Sequence, residues 1–258
     1  MNIPARRIRP LPIWQAAFFF AAPAALLFIC VYHLTPRLIA MGISAYLSLN
    51  VAFLLPFALL FCLSLVAYGA SGDAWSWAGF KERYRLGPMS REDRLWTGGL
   101  LIFGATVYLS LRAVLLRLVG RGIVVPPDSV PAILDPRVRQ SVGALMGGWV
   151  RGNWPLALVS VGTLFFNVAG EELWWRGYIL PRQEAAHGRH AWVPHGVLWT
   201  LFHAFKYWEF AALLPVCLGF AFVAQRRRST WPTILAHAAL NGVESIYVVL
   251  LVVGVAAA

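Results

Sequence analysis

The chain has 258 residues, 59% of them hydrophobic and 13% charged, with a formal net charge of +11. This balance excludes an ordinary water-soluble domain. The charge does not signal a nucleic-acid partner either, because the arginines stand in short blocks between long apolar runs, as loops flanking membrane spans do. Such runs suit helices rather than the alternation of a barrel. The predicted fold class is therefore all-α: a polytopic transmembrane helical bundle of about seven spans, forming one membrane domain over residues 1–258.

Arg6, Arg7 and Arg9 precede the first span, predicted at 13–32. That run is too long for a signal-peptide core, so it reads as retained with the N terminus cytoplasmic. Pro36 and Arg37 mark a turn, and span two covers 42–68. A basic connector follows, in which Trp75, Trp77 and Phe80 suit the headgroup level. Span three is expected at 95–116. The connector after it is broken by prolines, and its Val138, Val142, Leu145, Met146 and Trp149 repeat at helical spacing, which suits an amphipathic interfacial helix or, equally, the packing of a solvated loop. The remaining spans are expected at 154–180, 191–208, 210–224 and 231–253. Seven spans put most basic blocks on one side, with the 117–153 connector the exception. Cys30, Cys62 and Cys217 lie in separate runs and read as small buried hydrophobes.

Span four carries Glu171, Glu172 and Arg176 inside its apolar run. Ionisable groups at that depth are costly and point to function. On a helix Glu172 and Arg176 share a face and can pair, while Glu171 is turned about 100° away from Glu172. The arginine then holds one carboxylate while the other faces a cavity. The plainer alternative is that all three only cement the bundle.

Three more polar groups share that membrane level. His203 lies in the fifth span, and His237 and Asn241 lie one turn apart in the seventh. Counted from the span ends at about 1.5 Å per residue, Glu171 and Asn241 are about 15 Å deep, His203 about 18 Å and His237 about 9 Å. One wet pocket between the basic interface and the midplane is expected, with the makings of a hydrolytic site. Glu171 can take a proton from water as general base. His203 and His237 can position that water or ligate a metal that holds it. Asn241 can donate to a developing oxyanion. Asn167, four before Glu171, and Glu244, three after Asn241, are candidate outer residues. Taken singly, each histidine reads more readily as an interhelical hydrogen-bond partner, and it is the four groups together that favour chemistry.

In these motifs the chain resembles the CPBP family of intramembrane proteases, which includes the type II CAAX prenyl endopeptidases and bacteriocin-related proteins. Glu171-Glu172-Leu173-Trp174-Trp175-Arg176 is similar to the EExxxR motif, and Gly177-Tyr178 follows as is typical. Trp199 and His203 match an aromatic four residues before a histidine, with tryptophan where phenylalanine is usual. His237 to Asn241 matches HxxxN, led in by Trp231-Pro232-Thr233-Ile234-Leu235. The resemblance implies a protease core over 154–253, and residues 1–153 carry no signature. It implies that Glu171 activates water, that His203, His237 and Asn241 complete the site, and that Glu172 and Arg176 support it. Trp199 would narrow the cavity. The cofactor is left open: none, or one zinc held by Glu171, His203 and His237. HExxH, GxGD and GxSG motifs are absent.

The expectation is an intramembrane endopeptidase, glutamic or metal-dependent. It would cleave a membrane-anchored protein or peptide near its C terminus, within the lipid bilayer. Two other readings stand beside it. One is a non-catalytic membrane protein of the same fold, serving bacteriocin immunity or scaffolding. The other is a proton-coupled transporter, disfavoured because no internal repeat is visible. Twenty arginines against two lysines point to a bacterium with a GC-rich genome, and so to its plasma membrane.

Overall fold

A computed structural model describes residues 8–72 and 75–256, which form helices and connectors with no strand. Arg6 and Arg7 lie outside the described residues. Among the described residues six helices are long and apolar enough to cross a membrane: α1 (Ile13–Ala40), α2 (Ala45–Ala70), α4 (Arg91–Gly120), α6 (Trp154–His190), α8 (Ala204–Arg227) and α9 (Trp231–Val252). Three shorter ones complete the set: α3 (Trp77–Arg83), α5 (Val142–Met146) and α7 (Trp192–Phe202). Their outer faces carry bare apolar side chains such as Leu55, Val66, Ile102, Leu109, Leu158 and Val243. Exposure on that scale marks a surface facing lipid rather than water.

Two expected features differ. The fifth predicted span, 191–208, holds only the 11-residue α7, about 16 Å long and short of the roughly 30 Å hydrocarbon core. The helical ladder breaks at Lys206, whose φ of −135° and ψ of 50° are non-helical, inside a 3-10 turn over Ala204–Glu209. Irregular backbone at this depth is tolerated where protein surrounds it. Glu209 in that turn accepts from Tyr108 at 2.9 Å and pairs with Lys206 at 3.2 Å and Arg112 at 3.4 Å. The second difference is the connector. The predicted amphipathic helix is only the five-residue α5, stopped by Gly147 and Gly148, both with positive φ. The rest folds as turns, with Arg137 bridging Asp128 and Asp135. That guanidinium holds the Asp135 carboxyl below the usual carboxylate range. Met146 and Val150 seat the connector against Tyr46, Leu156 and Val248. Smaller shifts appear in α1, which continues through a π-helical turn at Cys30–Leu34 and past Pro36, and at Cys62, which is exposed.

Hydrogen bonds sort the connections between the two ends of the bundle. At one end Leu11 N–H donates to the Arg182 carbonyl, Arg85 pairs with Glu184, and Arg227 pairs with Glu92 and Asp93. Trp192 N–H also donates there, to Gln225. This is the basic end. At the other end Tyr207 donates to the Val125 carbonyl, Tyr32 to the Phe205 carbonyl, and Gly152 N–H to the Val252 carbonyl. The chain thus passes between ends once more than its long helices alone provide, and α7 with its turn makes that extra passage.

Helix α6 is the centre of the packing. It lies against α2 and α9, and α2 approaches so closely at Gly170 that a Cβ there would collide with the Phe57 carbonyl. That contact fixes the depth and rotation of the next residue, Glu171.

Candidate active site

Helix α6 is regular from Trp154 to Glu171 and then π-helical over Glu172–Ile179. Wider i→i+5 turns of this kind recur at functional sites. Here the change of pitch begins between the two adjacent glutamates. Glu171 ends the regular ladder and Glu172 opens the wide one, so their carboxylates leave the helix into different surroundings.

Glu172 is fully buried. Its Oε1 accepts from His237 Nδ1 at 2.9 Å and lies 3.0 Å from Arg176 Nη1. The Arg176 guanidinium, also buried, lies over the Trp199 ring with its carbon 3.4 Å from the ring centroid. A buried charge is tolerated only when compensated, and here a carboxylate and an aromatic face share that task.

Glu171 is 1% exposed. Its Oε1 accepts from Asn167 Nδ2 at 2.6 Å and its Oε2 from Trp199 Nε1 at 2.5 Å. Asn167 in turn accepts from Asn241 Nδ2 at 2.8 Å. A carboxylate offers about four lone-pair directions, so one on each oxygen is still free. Trp199 does not line the cavity beside Glu171, contrary to the expectation that it would narrow it; its N–H holds Glu171 while its face carries Arg176. The sequence motif could not disclose this, since phenylalanine at that position has no donor.

His203 Nδ1 is 2.8 Å from the Trp199 carbonyl. A carbonyl only accepts, so Nδ1 carries the proton and Nε2 offers its lone pair. The same reasoning applies to His237, whose Nδ1 faces the Glu172 carboxylate.

A cavity of about 660 Å³ brings together Asn167, Glu171, His203, Asn241 and Glu244. His237 does not line it. That histidine stands behind Trp199, ring centroids 5.9 Å apart, with Glu172 and Arg176. The expected foursome is therefore split between a cavity set and a supporting set. Polar side chains that the sequence did not single out also reach the cavity, Tyr46, Ser160 and Ser245 among them. Tyr46 donates to Ser160 at 2.8 Å, and Ser160 donates to Ser245 at 3.0 Å, extending the polar wall along α6 and α9. Ser160, Thr163, Asn167 and Glu171 recur at helical spacing, a signal readable in the sequence once α6 is known to border a cavity. The proposed zinc ligands do not gather: among the described residues no three His, Cys, Asp or Glu side chains form a set that could hold a metal ion.

Neither curated proteins nor solved structures gave a match to the chain. Residues 153–243 match the family model described as Rce1-like, type II CAAX prenyl endopeptidase. They contain every motif residue from Glu171 to Asn241 and the wall formed by α6, α7 and the first half of α9. That segment of the chain is thus similar to the Rce1-like family, and it is the segment that carries the three motifs.

Proposed function

We propose that this integral membrane protein is an endopeptidase that hydrolyses a peptide bond of a membrane-anchored protein or peptide near its C terminus, with Glu171 as general base. The observation that carries this reading is the convergence on one cavity of an oriented carboxylate, an imidazole lone pair and a carboxamide. Water held between Glu171 and His203 Nε2 gives a proton to Glu171, and its oxygen attacks the carbonyl carbon. The carbonyl electrons move to oxygen, where the second N–H of Asn241 can stabilise the oxyanion. As the C–N bond breaks, Glu171 returns the proton to the departing amine, leaving a carboxylic acid and a free amine. Glu172, Arg176 and His237 touch no reacting atom. Their role is to hold Trp199, and through it Glu171.

The test is Glu171→Gln, which keeps shape and hydrogen-bonding capacity but cannot take the proton. Peptides released by cells making the wild-type protein should be missing from cells making the variant, at equal membrane levels of both. Release unchanged by Glu171→Gln overturns the assignment and favours a binding or immunity role for the same fold.

A further inference from the structure

The cavity has one closed end. Toward the basic end, Glu171 is backed by Trp175, Ile179, Phe20 and Phe220, each 2% exposed or less, and by the buried Glu172–Arg176 pair. No residue of the basic-end connections lines the cavity. Its lining instead runs the other way. Counted from the basic ends of their helices at 1.5 Å per residue, Phe202 and Asn241 stand about 15 Å in, and Tyr247 and Tyr108 about 24–26 Å. Tyr46 lies at the first turn of α2, at the far end, and Ile133 and Leu134 come from the connector at that end and form the rim there. The polar side chains follow the same direction, from Glu171 through Asn167 and Thr163 to Ser160 and Tyr46. A larger groove of about 860 Å³ does lie in the basic half, between α2, α3, α6 and α9. It is almost wholly apolar and reaches neither Glu171 nor His203.

We infer that the cavity is entered from the end of the bundle opposite the basic loops. The basic end carries Arg9, the Lys81–Arg94 connector, Arg182 and Arg189, and Arg226 to Arg228. Short loops rich in arginine and lysine stay in the cytoplasm, which makes the open end extracytoplasmic. Resting on the protease reading, this gives the substrate class: membrane-anchored polypeptides whose scissile segment lies on the extracytoplasmic side, not cytoplasmic tails. Glu171 at the floor of the cavity then cleaves a segment that descends about half the thickness of the bundle.

Thiol labelling tests the inference without needing hydrolysis, so it can fail while the protease reading stands, and the reverse. In the full chain with Cys30, Cys62 and Cys217 replaced by alanine, single cysteines are placed at Ile133 (the mouth), Asn50 (inside the cavity) and Arg189 (the basic end). A membrane-impermeant maleimide is applied to intact spheroplasts and to inside-out vesicles. Ile133→Cys and Asn50→Cys should be labelled in spheroplasts and Arg189→Cys only in inside-out vesicles. Leu240→Cys, also in the cavity wall, replaces the Asn50 reporter if that variant fails to accumulate. Cavity cysteines labelled from the same side as Arg189→Cys, or from neither side, overturn the proposed entrance. An Ile133→Cys labelled only in inside-out vesicles overturns the extracytoplasmic assignment.

Discussion

Trp199 links the two halves of the site, since its indole N–H holds Glu171 and its ring face carries Arg176. Trp199→Phe keeps an aromatic face and removes one donor, so the fold should survive while Glu171 loses its fixed direction. A hydrogen bond to a charged group contributes about 1.5–3 kcal/mol, and each 1.36 kcal/mol of barrier is about tenfold in rate. We expect kcat to fall by roughly tenfold or more with KM and thermal midpoint nearly unchanged, read from single-substrate kinetics and melting in detergent. Glu172→Ala should behave in the opposite way. It strips Arg176 of its carboxylate in a fully buried setting, and breaking such a pair costs about 3–5 kcal/mol. Its signature is a lowered melting midpoint and less protein in the membrane, whereas Glu171→Gln should melt like the wild type.

At the level of elements, the close approach of α2 to α6 at Gly170 is what sets Glu171 in register with Asn167, Trp199 and the cavity. Gly170→Ala would push a methyl group into the Phe57 carbonyl. Overpacking of this kind costs about 1–3 kcal/mol, so the variant should melt earlier and lose activity out of proportion to its stability, as measured on the folded fraction. The long helices were legible from apolar runs alone, because lipid demands internally bonded backbone of a fixed length. The pairing of Glu172 with Arg176 was legible from i,i+4 spacing. The connector helix was not, since the helical spacing of Val138 to Trp149 says nothing of Gly147 and Gly148, whose positive φ ends the helix after one turn. Nor was the shortness of α7, whose break at Lys206 is stabilised by Tyr108 and Arg112 through Glu209, side chains nearly 100 positions away in sequence. His237 illustrates the limit at the site itself. Depth along a helix placed it beside the others, but the direction of its ring depends on how α9 leans on α6.

For the whole molecule, the question is whether the motif-bearing segment can work alone. All the motif residues lie within 153–243, yet more than a third of the cavity wall is built by what precedes them. Phe53 and Phe57 of α2, Leu27 of α1, Tyr108 of α4 and Ile133 of the connector all line it. Tyr46 donates to Ser160, and Thr163 donates to the Asn50 carbonyl, so α2 also satisfies polar groups of α6 that would otherwise face hydrocarbon. Helix α1 seals the basic side, where Phe20 stacks on Trp175 with ring centroids 4.0 Å apart. A chain starting at residue 153 would therefore expose its polar stripe, strip Phe20 from the floor beneath Glu171 and leave the cavity without the wall that α2 supplies. We expect such a fragment to be inactive and poorly retained in membranes. Supplying residues 1–152 as a separate chain in the same cell should restore both properties, because the break falls in the turns before Trp154 rather than within a helix. Retention assessed by membrane fractionation, and activity by the peptide release that Glu171→Gln abolishes, will decide it. Full activity from the fragment alone would mean that the first helices serve only as an anchor.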